Sequence, residues 1–475
     1  MKKIAVLSLL LGLLMMTGNV LAQYPDDALR LSTPGLGVGA RALGMGNAYT
    51  GVASDFSAIY ANPAGLGQIR LNEVQFGMSN VSYNDNASFE GNSMTSSNSS
   101  TDLNDLGFVY PFPAERGSFV IAAGFTRSSD FTTGLSFNGF NSKSSIAGYL
   151  PFGLAYDLGL QDSNGNTQIN GHLQQNGTVL EGGGINTWSV GLGFEAARQL
   201  YLGVTLSVLS GSYAYTRNYS ESDVTGYYQA DTASDPLWAL QSFNIQQTIN
   251  DDIGGVTAKL GLLYKFTKST RLGITVKLPT YYSIHETFTN SGNSQFYVPD
   301  DNGNTNYSHF DGAGQDYNVT SPYVFDAGLS TTVGELLLSG EVEYTDWTEM
   351  SFSNLDPETE TADNTAIKQD FKATTNLRAG AEYEFPGSGF MIRGGFQYLP
   401  SPYQMDNSSN AQKVISGGVG FLFAESMAFN FAYAYDKFST SHINYPDYDA
   451  SGNPTSQTLE DVHTNTILGT LTYRF

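Results

Sequence analysis

From about Asn72 to its last residue the chain alternates apolar and polar positions in one segment after another. This period of two constrains the fold more than any other feature. Phe119, Ile121, Ala123 and Phe125 fall on one face, as do Trp188, Val190, Leu192 and Phe194. Segments 260–266, 272–278, 336–344, 377–383, 390–398 and 427–435 repeat the pattern. Alternation of this kind marks strands with one face buried. Their connections alternate as well. Short turns fall at 113–117, 196–199, 267–270, 333–335, 386–389 and 424–426. Long polar stretches fall at 84–103, 128–184, 217–252, 288–320, 351–366, 401–411 and 441–459. Short turns at one end and long loops at the other are the pattern of an outer-membrane barrel. A soluble sandwich has no reason to segregate loop length. The expectation is an all-β fold, a 14-stranded antiparallel transmembrane β-barrel with both chain ends on the short-turn side.

The opposite face of these strands is polar, as a lumen requires. Lys259, Lys277, Glu341, Glu343, Arg378, Glu382, Glu384 and Arg393 point inward in this register. Both signs are present, so these groups can neutralise one another, and an unpaired charge in a narrow lumen would be costly. The chain closes on Leu471, Tyr473 and Phe475, a terminal aromatic strand like the assembly signal of outer-membrane barrels.

Residues 1–22 read as a signal peptide. Lys2 and Lys3 precede an apolar run, and Val20-Leu21-Ala22 supplies the small-residue cleavage pattern. That run is about 13 residues, too short for a membrane helix. The absence of Cys excludes a disulfide framework and a lipoprotein anchor, so stability rests on burial and backbone pairing. A net charge of −23 argues against nucleic-acid partners, which need a basic footprint. Residues 35–67 are dense in Gly and Ala, almost uncharged, and suit a compact segment packed closely inside something else. The resulting division is signal peptide 1–22, hatch 23–70 within the lumen, and barrel 71–475.

Three stretches carry a family resemblance. One is the hatch run Ala42-Leu43-Gly44-Met45-Gly46-Asn47-Ala48-Tyr49 with Ile59-Tyr60-Ala61-Asn62-Pro63-Ala64-Gly65. Another is Leu262-Leu263-Tyr264-Lys265-Phe266 with Arg271-Leu272-Gly273-Ile274 and Pro279-Thr280, and the third is Val342-Glu343-Tyr344-Thr345-Asp346-Trp347. The chain resembles the FadL/TodX (OMPP1) outer-membrane transporters of long-chain fatty acids and other hydrophobic compounds. The resemblance implies a Gram-negative outer membrane, a hatch that moves, and passive transport with sideways exit through the wall near the third strand. It implies as partners an apolar ligand such as a long-chain fatty acid, outer-membrane lipid and lipopolysaccharide, and the barrel assembly machinery. No cofactor is implied. The hatch motif is shared with related barrels that dock secreted proteins, and such a barrel is the alternative reading.

Candidate site residues follow. Asn62, Pro63, Ala64 and Gly65 form the gating turn of the hatch. A ligand carboxylate would seek an inward cation, and the candidates are Arg41, Lys277, Arg378 and Arg393. Asp235-Pro236 can start a short helix whose apolar face, Leu237, Trp238 and Leu240, would serve as a capture surface on the outside. Enzymatic chemistry finds little support. His172, His285, His309, His442 and His463 are scattered without metal-ligand spacing, and no nucleophile elbow occurs.

Overall fold

A computed structural model of the protein describes residues 25–35, 37–229, 238–298, 306–312, 314–406, 408–424 and 426–475. The expected signal segment and Leu237 lie outside these residues. Fourteen antiparallel strands close into one barrel. They are β1 (Glu73–Phe89), β2 (Asn92–Phe112), β3 (Phe119–Asp130), β4 (Leu173–Ala197), β5 (Leu200–Ser222), β6 (Leu240–Lys265) and β7 (Thr270–Lys277). The second half comprises β8 (Val324–Val333), β9 (Leu336–Asp346), β10 (Ala373–Glu384), β11 (Phe390–Leu399), β12 (Gln412–Phe423), β13 (Met427–Ile443) and β14 (Gln457–Arg474). The barrel closes where β1 pairs with β14, from Glu73 opposite Arg474 to Ser88 opposite Leu459. Closure matters because a sheet edge in lipid would leave its N–H and C=O groups without partners.

The outward face carries the apolar alternation. Trp188, Val190, Leu206 and Val208 are 57%, 59%, 63% and 59% exposed, far more than a soluble protein would tolerate in one patch. With Val74, Phe76, Phe108, Phe396, Phe429 and Tyr473, they form a band around the barrel that faces lipid. Inward positions mix polar, glycine and apolar residues: Glu341, Glu343, Glu382 and Arg393 are buried there, and so are Val109, Val120, Leu263 and Val414.

The strands outrun the membrane. β4 and β5 hold 25 and 23 residues, against roughly 9–11 needed to cross a bilayer. Stretches read as long polar loops are therefore largely ordered structure. β1 and β2 continue to a tight turn at Glu90 and Gly91, and 128–184 contains a strand, Thr133–Asn141, and a short helix, Phe152–Asp157. Residues 351–366 lead into the helix Pro357–Asp370, N-capped by Asp356. These extensions build a dome with its own apolar core of Phe89, Phe137, Leu158, Tyr219, Phe243 and Tyr445. Trp238 and Leu240 are buried in that core, and Leu240 begins β6. The two thus do not form the exposed helical face expected of them. Each gains more by burial in the dome than on a solvated helix.

Candidate functional site

The lumen is filled by the N-terminal segment. A helix, α1 (Pro25–Ser32), lies in the outer mouth, with Ala28 and Leu31 buried against Tyr213, Ile253, Tyr282, Tyr317 and Phe352. Its carbonyl at Leu31 accepts the Tyr282 hydroxyl at 2.8 Å. Below it run two short helices, α2 (Ala40–Gly44) and α3 (Ala58–Ala61), and a 3₁₀ turn over Pro63–Gln68. Met45, Phe56, Ala58 and Leu66 are fully buried.

Asn62 ties the hatch together and to the wall by hydrogen bonds. Its backbone is extended, so its Oδ1 can cap the 3₁₀ turn by accepting Ala64 N–H at 3.1 Å, with Pro63 placed where no donor is needed. Its Nδ2 then donates to the Thr50 carbonyl within the hatch at 2.9 Å and to the Leu262 carbonyl of β6 at 3.1 Å. Pro63 and Ala64 sit directly on wall backbone. A Cβ at Gly203 would lie 2.2 Å from the Pro63 carbonyl carbon, and one at Gly261 would lie 2.2 Å from Asn62 Oδ1. Gly203 and Gly261 face each other across β5 and β6, so the wall offers a side-chain-free seat. Met45 and Gly46 use Gly380 and Gly395 in the same way across the barrel.

Charge and hydrogen bonds complete the seal. Arg41 of the hatch grips Glu382 of β10 through Nε at 2.9 Å and Nη2 at 2.7 Å, and Arg393 of β11 donates to the same carboxylate at 2.5 Å. Thr50 N–H donates to Glu341 of β9 at 2.8 Å, and Phe56 N–H to Glu73 of β1 at 2.6 Å. Arg474 of β14 holds the other oxygen of Glu73 at 2.9 Å. Arg378 of β10 spans Glu341 and Glu343, 2.9 Å from each. Of the four candidate cations, Arg41, Arg378 and Arg393 are thus each engaged by a wall carboxylate. Lys277 is different. It stands opposite Lys259 in the β6–β7 ladder, and neither ammonium has a carboxylate within 4 Å among the described residues. Lys259 lies over the Tyr60 ring of the hatch at 5.3 Å.

The β2–β3 seam has one of the short ladders of the wall, eight pairs like that of β10 and β11. β2 pairs with β3 only from Asp105 opposite Thr126 to Phe112 opposite Phe119. Above that, the ladder is replaced by side chains. Arg127 meets Asp102 at 3.5 Å, Ser100 donates to Asp130 at 2.8 Å, and Asn98 donates to the Thr133 carbonyl at 2.9 Å. A register shift between Arg127 and Ser129 marks a bulge in β3. The hatch touches this bulge, where Gly35 N–H donates to Ser128 O at 2.8 Å. An apolar groove of about 860 Å³ lies outside the barrel below the seam, lined by Leu106, Phe108, Trp188, Val190, Leu206 and Val256.

The sequence shows Arg41, Lys277, Arg378 and Arg393 as candidate cations but not the wall glycines against the hatch, the apposition of Lys259 and Lys277, or the packing of Phe56 on the wall. A run of small residues in the hatch and a repeated Gly on inward strand positions were the available signals.

A lipid-facing barrel whose lumen is closed by its own N-terminal segment is an outer-membrane transport barrel. The chain belongs to the family described as outer membrane protein transport protein (OMPP1/FadL/TodX), whose model matches residues 39–475. That description places the family in the outer membrane with a role in transport, and this chain shares both. The fold is similar to that of the Pseudomonas putida toluene transporter TodX, at 14% identity and a TM-score of 0.57, over 92% of this chain and 99% of that one. A Pseudomonas aeruginosa FadL homologue gives 12% identity and a TM-score of 0.55, over 92% and 98% of the two chains. No curated protein matches the sequence.

Proposed function

We propose that this barrel takes up long-chain fatty acids, received at the dome and released sideways into the membrane when the hatch moves. The observation that supports the substrate class is the Lys259–Lys277 pair, two lysines opposite each other on β6 and β7 with no carboxylate within 4 Å of either ammonium among the described residues, Asp326 and Glu343 acting on them only from beyond that distance. Like charges directly opposite on a ladder are unfavourable, so the pair makes sense where an anion joins it. A carboxylate headgroup supplies that charge, and a neutral aromatic hydrocarbon does not. Sideways exit is supported by the β2–β3 seam, where side-chain contacts replace the ladder above Asp105.

The test is uptake of labelled palmitate and labelled toluene by cells producing the protein or its Lys259→Gln/Lys277→Gln form, at matched surface levels. The expected result is palmitate uptake above background that falls about tenfold in the double variant, the scale of one lost charge-assisted contact. Toluene flux should stay unchanged. Equal loss of both substrates overturns the assignment to acids. Absence of any uptake transfers the reading to a barrel that docks secreted proteins.

A further inference from the structure

Gly107 and Gly124 face each other across β2 and β3, three pairs from the upper end of that short ladder. Both point their missing side chains into the lumen, and the space is filled from the hatch. A Cβ at Gly107 would lie 2.0 Å from the Phe56 ring, and one at Gly124 would lie 2.5 Å from the same ring. Phe56 is fully buried, and its N–H is fixed by Glu73 at the β1–β14 closure. Gly107 and Gly124 also line the outer groove, with Leu106, Phe108 and Ala123 beside them. Here only backbone and one hatch ring separate the lumen from an apolar surface facing lipid.

We propose that Phe56 is the shutter of a lateral window whose frame is the Gly107–Gly124 pair. The inference rests on the sideways-exit reading and adds the residue that regulates it. With the hatch seated, the phenyl ring supplies the side chain that two consecutive wall strands lack. With the hatch displaced, the ring leaves, and the pairs at Asp105, Leu106 and Gly107 are all that must part to connect lumen and groove. An acyl chain would then pass from an apolar lumen to an apolar groove without crossing water, while larger polar solutes meet the remaining ladder.

The absence of native Cys permits a direct test. Phe56→Cys protein in liposomes is treated with a lipid-dissolved pyrene maleimide, with and without palmitate. Leu43→Cys is the control, equally buried in the hatch but packed on Val414 of β12 and Leu468 of β14. Palmitate should accelerate labelling at position 56 about tenfold, the response of a minor open state drawn up by its ligand, and leave position 43 unlabelled. Equal labelling of both positions, or no acceleration at 56, overturns the shutter. If the Cys form fails to assemble, Phe56→Leu, which underfills the same space, should raise palmitate uptake, and an unchanged rate overturns the proposal. Ala123→Trp fills the groove from outside and tests sideways exit by itself. Blocked uptake in Ala123→Trp together with unresponsive Phe56→Cys retains the exit and sinks only the shutter.

Discussion

Glu382→Gln tests whether charge holds the hatch shut. Glu382 is buried on the lumen side of β10, with 8% of its side chain exposed, and accepts from two guanidinium groups. One donor, Arg393, belongs to the wall and cannot leave. The other, Arg41, rides on the hatch. Replacing the carboxylate by an amide leaves the buried Arg393 and the partly buried Arg41 facing each other, and breaking a fully buried ion pair in this way costs about 3–5 kcal/mol. Moving the hatch relieves that repulsion. If about 3 kcal/mol of it falls on the closed state, the displaced population rises more than 100-fold. Arg41→Gln acts on the same contact but leaves Glu382 paired with Arg393. Its cost is the lost charge-assisted hydrogen bonds alone, about 1.5–3 kcal/mol, so its effect is smaller. The ordering carries the argument. Planar-bilayer conductance and sensitivity to a bulky hydrophilic antibiotic, at matched surface levels, should rank Glu382→Gln above Arg41→Gln and both above the unmodified barrel. Arg41→Gln leaking as much as Glu382→Gln would refute the reasoning, because the unpaired-cation cost would then play no part.

Two further changes probe the seat of the hatch. Asn62→Ala removes one capping bond and two donations to buried carbonyls, costing about 1–3 kcal/mol per group left unsatisfied. Trypsin cleavage after Arg41 in the solubilised barrel should speed up, with Asn62→Asp no better because it cannot donate to either carbonyl. Gly203→Ala pushes a methyl against the Pro63 backbone at 2.2 Å, an overpacking of about 1–3 kcal/mol that raises conductance. Gly340→Ala, where a Cβ meets nothing within 4 Å, should leave conductance unchanged.

The sequence was most legible where the two faces of a strand meet different media. On β10, Leu377, Ala379 and Tyr383 face lipid while Arg378 and Glu382 face the lumen, and the contrast is visible residue by residue. Above the band both faces meet water or a polar interior, and the contrast disappears. Residues 93–102, Ser-Met-Thr-Ser-Ser-Asn-Ser-Ser-Thr-Asp, read as loop although β2 runs through them. Asp235-Pro236 is sound helix-start chemistry, yet the burial of Trp238 and Leu240 depends on Phe243, Tyr228 and Leu158, partners that no local signal reports.

The candidate site was less legible because its meaning lies in long-range register. Lys259 and Lys277 were each visible as inward charges, but their apposition depends on the short turn at 266–269 that sets the β6–β7 pairing, where a slip of one residue would send every side chain to the other face. The inward wall glycines look like interruptions of the alternation until the hatch is laid on them. Gly203 and Gly261 are bare because Pro63 and Asn62 occupy their side-chain space, and Gly107 and Gly124 because Phe56 does. Hatch and wall therefore share one set of side chains between them. The consequence of a substitution depends on the face and height at which it falls: the same Gly→Ala change is accommodated at Gly340 and obstructs the hatch at Gly203.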